Sequence, residues 1–449
     1  MLLQFVVSNY RSFKKETIIN MAPAKSRVHH DHVISDRHGK NTEALSIAAL
    51  YGANASGKSN LIKAIAFARD LIVTGTRADS SIPVTPFRLS PKSSLAPSHF
   101  EFIFKHEGVL YTYGFIVSSQ LVHEEWLFAV YNRQEVRLFE RTTEGGKARV
   151  EQGNKLASNR FEKERIRFVA EGTRPNQLFL TEAHERNVSA IQPVMQWFSR
   201  NVAVITPDTR FDVTLKAYSD KTFTSYLERI LRNSDTGIHG ITTKAEPLDF
   251  DRQIPDMPDD VRRSILSDLQ KPEVKSMLVT DGRRFFTFAR AKGNPIVVSL
   301  RTQHKSADIA VEFDTEDESD GTQRMMHLAP ILLDAQRKES EKVFFIDELD
   351  RSMHPLLCRF VVETFLKGVS ETESKSQLIF TTHEASLLEP DLLRRDEVWF
   401  VEKGGEGDST LSSLAEYEVR SDLRISKGYL DGRFGAIPLL GDSPVLEKK

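Results

Sequence analysis

Near the start of the chain, the run GANASGKS from Gly52 to Ser59 carries the full spacing G-x-x-x-x-G-K-[ST]. Its glycines let the backbone curl so that several N–H groups converge on one anion. A lysine in that spacing reaches the β- and γ-phosphates of a nucleotide, and the hydroxyl after it ligates Mg²⁺. Lys58 and Ser59 hold those positions, with Asn54 and Gly57 in the loop itself. Context supports the reading. Leu45 to Tyr51 reads as a buried strand, and from Asn60 to Val73 apolar residues fall at helical spacing (Leu61, Ile62, Ala64, Ile65, Phe67, Ala68). A Gly/Ser-rich turn matching by chance would not need a strand before it and a helix after it. The expected ligands are ATP and Mg²⁺.

A second constellation lies about 290 residues later, where VFFIDELD, residues 343 to 350, is an apolar strand ending in adjacent carboxylates. Asp347 at the strand end is placed to hold Mg²⁺, and Glu348 to polarise the water that attacks the γ-phosphate. Alone, such a pair would read as solvated acids capping a strand. Next comes IFTTH, which delivers His383 at a strand end, where a γ-phosphate sensor would sit. A lone histidine is otherwise structural or merely exposed. Between the two constellations lies EDESDGTQRMM, residues 316 to 326, in which four carboxylates crowd one serine and one glycine ahead of an apolar helical run. That stretch reads either as an acidic helix cap or as part of an active site.

The order of phosphate loop, insertion, S-x-G helix start, DE strand, SMHP turn and strand-end histidine resembles the ABC-type ATPase head of the SMC, Rad50 and RecF group. The resemblance implies that Ser319 and Gly321 meet the γ-phosphate of a partner subunit's nucleotide, aided by the positive end of the helix. ESDGT departs from the L-S-G-G-Q form of that group, because Asp320 stands where a glycine is usual. NYRSF, residues 9 to 13, is similar to a turn of the group whose basic residue touches the nucleotide, which assigns that contact to Arg11. The SMHP turn, 352 to 355, corresponds to a loop that crosses the dimer interface. For the loop glutamine that closes Mg²⁺ coordination in the first lobe, Gln120 is a weak candidate.

ESDGT, DELDRSMHP, QLIFTTHEASLL, LLRRDEVWFVEK and GYLDGRFGAIP are together similar to stand-alone bacterial ATPases of phage-defence loci, of the RloA, AbiL and AriA kind. The resemblance covers residues 1 to about 130 and 300 to 440. It implies a homodimer or higher homo-oligomer that acts as sensor and scaffold for a separately encoded effector. Relatives named for overcoming lysogenization defects carry a Toprim nuclease after the ATPase. Here 66 residues follow His383 without a strand-borne D-x-D, so a Toprim-type nuclease is expected on another polypeptide.

Such motifs need elements to position them. Strands alternating with helices at both ends of the chain predict an α/β fold, a mostly parallel sheet with an antiparallel N-terminal lobe. FEFIF and YTYGFIV, with KHEG between, form the expected hairpin of that lobe. Lobe I is expected over 1–135, an inserted and largely helical middle region over 136–300, and lobe II with the C-terminal tail over 301–449.

The composition fits a globular protein: 449 residues, 40% apolar and 28% charged. A formal net charge of -2 gives little support to the rival reading, a RecF-like repair ATPase that binds DNA directly. A transporter's nucleotide-binding subunit fits poorly, given the long insertion and the unusual signature. Cys358 is the sole cysteine, which excludes an internal disulfide and any cysteine-cluster metal site. The first residues do not read as a signal peptide and no run is long enough to span a membrane, so a cytoplasmic location is expected.

Overall fold

The computed structural model describes residues 1–26, 28–36, 42–207, 209, 211–271, 274–280, 285–306, 309–418 and 424–438. The last stretch of the expected C-terminal tail, 439–449, lies outside them. Two compact units are present. One comprises residues 1–207, 335–350 and 362–449, the other 208–334 and 351–361.

The first unit is built on a six-stranded sheet ordered Val202–Ile205, Val343–Ile346, Gln377–Thr381, Ile47–Tyr51, Val398–Lys403, Ser409–Ser413. The first five strands are parallel, and the last is an antiparallel edge. Ile47–Tyr51, Val343–Ile346 and Gln377–Thr381 are buried at every position, which explains their apolar runs, with Gln377 and Thr381 the polar ends of the third. All the parallel strands point their C-terminal ends the same way. In such sheets that end is where ligands bind.

A seven-stranded antiparallel sheet forms the other layer, in the order Lys147–Gln152, Gln134–Glu144, Val122–Tyr131, Val109–Val117, Ser98–His106, Leu2–Ser8, Thr17–Asn20. Its inner face is aromatic. Phe104 stacks on Trp197 with centroids 3.9 Å apart, and Phe102 meets Phe198 edge-on at 5.1 Å. Phe67, on the helix Lys58–Thr74, packs against Phe100 of the same face. Buried Gln377 stitches the layers together, donating from Nε2 to the carbonyls of Leu2 and Leu45, both at 2.9 Å.

The second unit carries an antiparallel sheet, ordered Ile238–Pro247, Asn294–Ser306, Phe285–Ala291, Ser276–Thr280, with Ile309–Asp314 also paired to Asn294–Ser306. One small core gathers Ile254, Met257, Ile265, Leu269 and Phe288 under the helix Asp259–Gln270.

The α/β architecture is as the sequence predicts, with one amendment and one difference. The middle region contains the expected helices, Lys221–Asn233 and Asp259–Gln270 among them, but also strands. Ile238–Pro247 and Phe285–Ala291 bury only three positions each and leave the rest partly or fully exposed, so neither carries the signal of a strand buried throughout. The compact units also do not follow the boundaries 1–135, 136–300 and 301–449. Residues 136–207 belong with the first unit, because Val202–Ile205 pairs with Val343–Ile346.

Candidate functional site

The phosphate loop leaves Ile47–Tyr51 and enters the helix Lys58–Thr74 through Gly57, whose φ of 120° is open only to glycine without strain. Gly52 is needed for a different reason: a Cβ there would come within 2.5 Å of the Val401 carbonyl and the Ser56 hydroxyl. Lys58 is 6% exposed, and its Nζ donates to the carbonyls of Gly52 at 2.7 Å and Ala53 at 3.2 Å. The ammonium is thus held over the mouth of its own loop. Burial lowers its pKa to about 8, against the pull of Asp350, Asp347 and Glu348.

Ser59 Oγ donates to Asp347 Oδ1 at 3.0 Å. Thr381 Oγ1 donates to the same carboxylate oxygen at 2.8 Å and accepts from the Glu348 N–H at 2.7 Å. Asp347 is 4% exposed, and its N–H donates to the Ile205 carbonyl at 2.8 Å. Adjacent strands therefore fix the Asp347 carboxylate and the backbone of Glu348. A hydroxyl and a carboxylate, both oxygen donors, suit Mg²⁺: Ser59 and Asp347 would hold the ion, and it would supply positive charge against that developing on phosphate.

Glu348 turns out of the strand with φ 52°, a left-handed conformation uncommon for a non-glycine residue and frequent where a side chain is aimed at a site. It lines a polar cavity of about 320 Å³ together with Ser12, residues 53–60, His383 and Lys403. The His383 N–H donates to Asp350 Oδ2 at 3.0 Å. Burial first, and the charge of Lys58 second, hold the His383 imidazole below its ordinary pKa. A neutral imidazole near a γ-phosphate can donate one hydrogen bond without adding a fixed charge.

Of the residues expected at the site, Asn54, Gly57, Lys58, Ser59, Asp347, Glu348 and His383 converge. Arg11 does not line this cavity. Its φ is 49°, its N–H donates to the Thr85 carbonyl at 2.8 Å, and its guanidinium lies over the Tyr10 ring with Nε 3.2 Å from the hydroxyl. Its neighbour Ser12 faces the cavity instead, accepting from Asn60 Nδ2 at 2.9 Å. Gln120 is exposed and is not among the lining residues. Sequence reasoning did not single out Ser12, Thr381 or Lys403. Lys403 ends the strand beside the loop strand, the same strand-end logic that located His383.

Ser319 and Gly321 belong to the second unit. Ser319 Oγ accepts from the Thr322 N–H at 3.2 Å and shares a 2.9 Å hydrogen bond with the Thr322 hydroxyl, so it caps the helix Asp320–Ala335. At Gly321 a Cβ would lie 2.8 Å from the Ser352 carbonyl. Glycine is therefore required where the helix start meets the SMHP turn. Glu318 is engaged at 2.7 Å by His304 Nε2 and by the Thr302 hydroxyl, which removes one of the four clustered carboxylates from solvent.

A phosphate loop at the C-terminal end of a parallel sheet, a hydroxyl–carboxylate pair beside it and a carboxylate with an imidazole facing it define an ATP-binding P-loop ATPase. The chain belongs to the family described as "AAA domain, putative AbiEii toxin, Type IV TA system", whose model matches residues 47–389. It is similar in structure to the SMC head domain from Thermotoga maritima, at 12% identity over 93% of this chain and 99% of that one, with a TM-score of 0.37. No curated protein matches it. Among the described residues, no helix is long and apolar enough to cross a membrane.

Proposed function

We propose that the chain is a Mg²⁺-dependent ABC-type ATPase that works as sensor and scaffold in phage defence, controlling a separately encoded effector. The observation that carries the catalytic half is the joining of Ser59 to Asp347 beside a cavity lined by the phosphate loop, Glu348 and His383. In this reading Lys58 grips the β- and γ-phosphates, Ser59 and Asp347 hold Mg²⁺, Glu348 polarises the attacking water and His383 senses the γ-phosphate. Ser319 and Gly321 act in trans, at the nucleotide of a second copy in a two-fold dimer.

For the defence half, support comes from the family description, which joins an AAA domain to a toxin of a Type IV toxin–antitoxin system. ATP can shift a conformational equilibrium only through unequal affinity for its two states, and something bound to the protein must read that shift. A separately encoded nuclease of Toprim type, acting in the cytoplasm, is the effector we favour.

The test is phage challenge of cells expressing the ATPase alone or with its neighbouring gene. Protection that needs both proteins, and that Lys58→Ala removes, is the expected outcome. Full protection by the ATPase alone would overturn the effector reading. ATP turnover that rises on addition of DNA would favour the RecF-like repair reading.

A further inference from the structure

We infer that His29, Asp31 and His32 form a binding site for one divalent transition-metal ion, with zinc the ion its donors suit. These residues belong to the run HHDH, which the nucleotide chemistry leaves unused. One donor atom from each lies within 4.8 Å of the others. His29 has φ 51° and precedes the 3₁₀ turn His30–His32. Residues three apart eclipse in such a turn, so the two rings stack with centroids 4.7 Å apart.

Both imidazoles are held in the tautomer a metal needs. His29 Nε2 lies 2.8 Å from the Pro390 carbonyl, which can only accept, so the proton sits on Nε2 and the lone pair on Nδ1. His32 Nδ1 faces both carboxylate oxygens of Glu397, at 2.9 and 3.1 Å, which leaves the lone pair on Nε2. A histidine whose second nitrogen is tied to a carboxylate or a carbonyl is the usual supporting arrangement around a metal. The supports are themselves fixed: Glu397 is fully buried and also accepts from the Arg394 N–H at 2.8 Å.

Two nitrogens and a carboxylate suit zinc at about 2.0–2.2 Å, reached by rotating exposed Asp31 and shifting the rings slightly, with a water in the fourth position. The role is structural. His32 accepts from the Ser46 N–H at 2.8 Å, just before Ile47–Tyr51, and Glu397 directly precedes Val398–Lys403. An ion here pins the starts of two paired strands, about 16 Å from the phosphate loop at roughly 3.3 Å per residue.

The experiment titrates chelator-stripped, full-length protein with zinc against a chromophoric chelator, in excess Mg²⁺ to occupy the nucleotide residues. One equivalent per chain is expected. Asp31→Asn and His29→Gln should each weaken it ~10-fold or more, while His30→Asn should leave it unchanged. Both ligand variants alter accessible side chains, and a circular dichroism spectrum checks that they fold. Cobalt in place of zinc should give a four- or five-coordinate visible spectrum that Asp31→Asn abolishes. Absence of stoichiometric binding, or binding indifferent to Asp31 and His29, overturns the site.

Discussion

Ser59 and Asp347, 288 residues apart in sequence, share a 3.0 Å hydrogen bond, so two separately encoded motifs meet at one point. The hydroxyl and the carboxylate are the two donors assigned to Mg²⁺. Anything that loosens their alignment should appear as a change in metal dependence before it appears as a change in fold.

Thr381→Val tests that directly. It deletes the hydroxyl that donates to Asp347 Oδ1 and accepts from the Glu348 N–H. The variant should need ~10–100-fold more Mg²⁺ for half-maximal hydrolysis. It should also lose about 1–3 kcal/mol of stability, because a buried carboxylate oxygen and an N–H lose a partner. Hydrolysis measured across a Mg²⁺ series, beside urea unfolding, separates the two effects. An unchanged Mg²⁺ requirement would remove Thr381 from this supporting role.

Lys58→Ala should weaken ATP binding by ~100-fold or more, since a charge-assisted contact to phosphate disappears. Calorimetry on the folded variant reads this. Wild-type affinity in that variant would sink the assignment.

Acidity offers a second test of the same residue. With the Lys58 pKa lowered to about 8, its ammonium must be reprotonated to meet phosphate once the pH passes that value. Apparent ATP affinity should be flat below pH 7 and fall by up to ~10-fold per unit above pH 8. Stability moves the other way. Between about 8 and the ordinary lysine value of about 10.4, the folded chain binds fewer protons than the unfolded one, so this group adds stability as pH rises. Lys58→Arg keeps its charge throughout, and whatever affinity it retains should not vary over that window.

Glu348→Gln should bind ATP normally and turn it over ~10²–10⁴-fold more slowly, the usual cost of removing a positioned base. Single-turnover kinetics is the readout. A rate within about threefold of wild type would take Glu348 out of that role.

Ser319→Arg and Lys58→Ala proteins, each inactive alone, should partly recover when mixed. A mixed dimer that places both lesions in one composite site leaves the other site whole. If subunits exchange freely and no activity returns, action in trans fails, or both sites must fire together.

The sequence made some of this legible and hid the rest for physical reasons. The loop strand, Val343–Ile346 and Gln377–Thr381 announce themselves because a strand buried on both faces is apolar along most of its length, polar only where a side chain such as Gln377 or Thr381 finds a hydrogen-bond partner. Val202–Ile205 belongs to the same sheet, and its run VAVI is apolar and β-branched, but four residues are too few for periodicity to separate an edge strand from the end of a helix. Arg11 illustrates a different limit. NYRSF does sit beside the loop, but two left-handed residues, Asn9 and Arg11, turn the chain so that Ser12 faces the cavity. Motif spacing reports which segment arrives, whereas backbone dihedrals decide which side chain points inward.

The strand Ile47–Tyr51 lies between Gln377–Thr381 and Val398–Lys403, neither of which a ribosome makes until more than 300 residues later. Through most of synthesis, the strand bearing the phosphate loop has two open edges and an apolar sequence, the condition under which nascent chains pair wrongly. Asp347, Thr381 and Glu348, the residue proposed as base, are also still missing, so a half-made chain has nothing to align Ser59. Completing translation through Lys403 should therefore act as a built-in licence, with truncated products expected to be held by chaperones rather than released as stray ATPases. A premature stop between residues 208 and 334 should yield insoluble protein without nucleotide turnover.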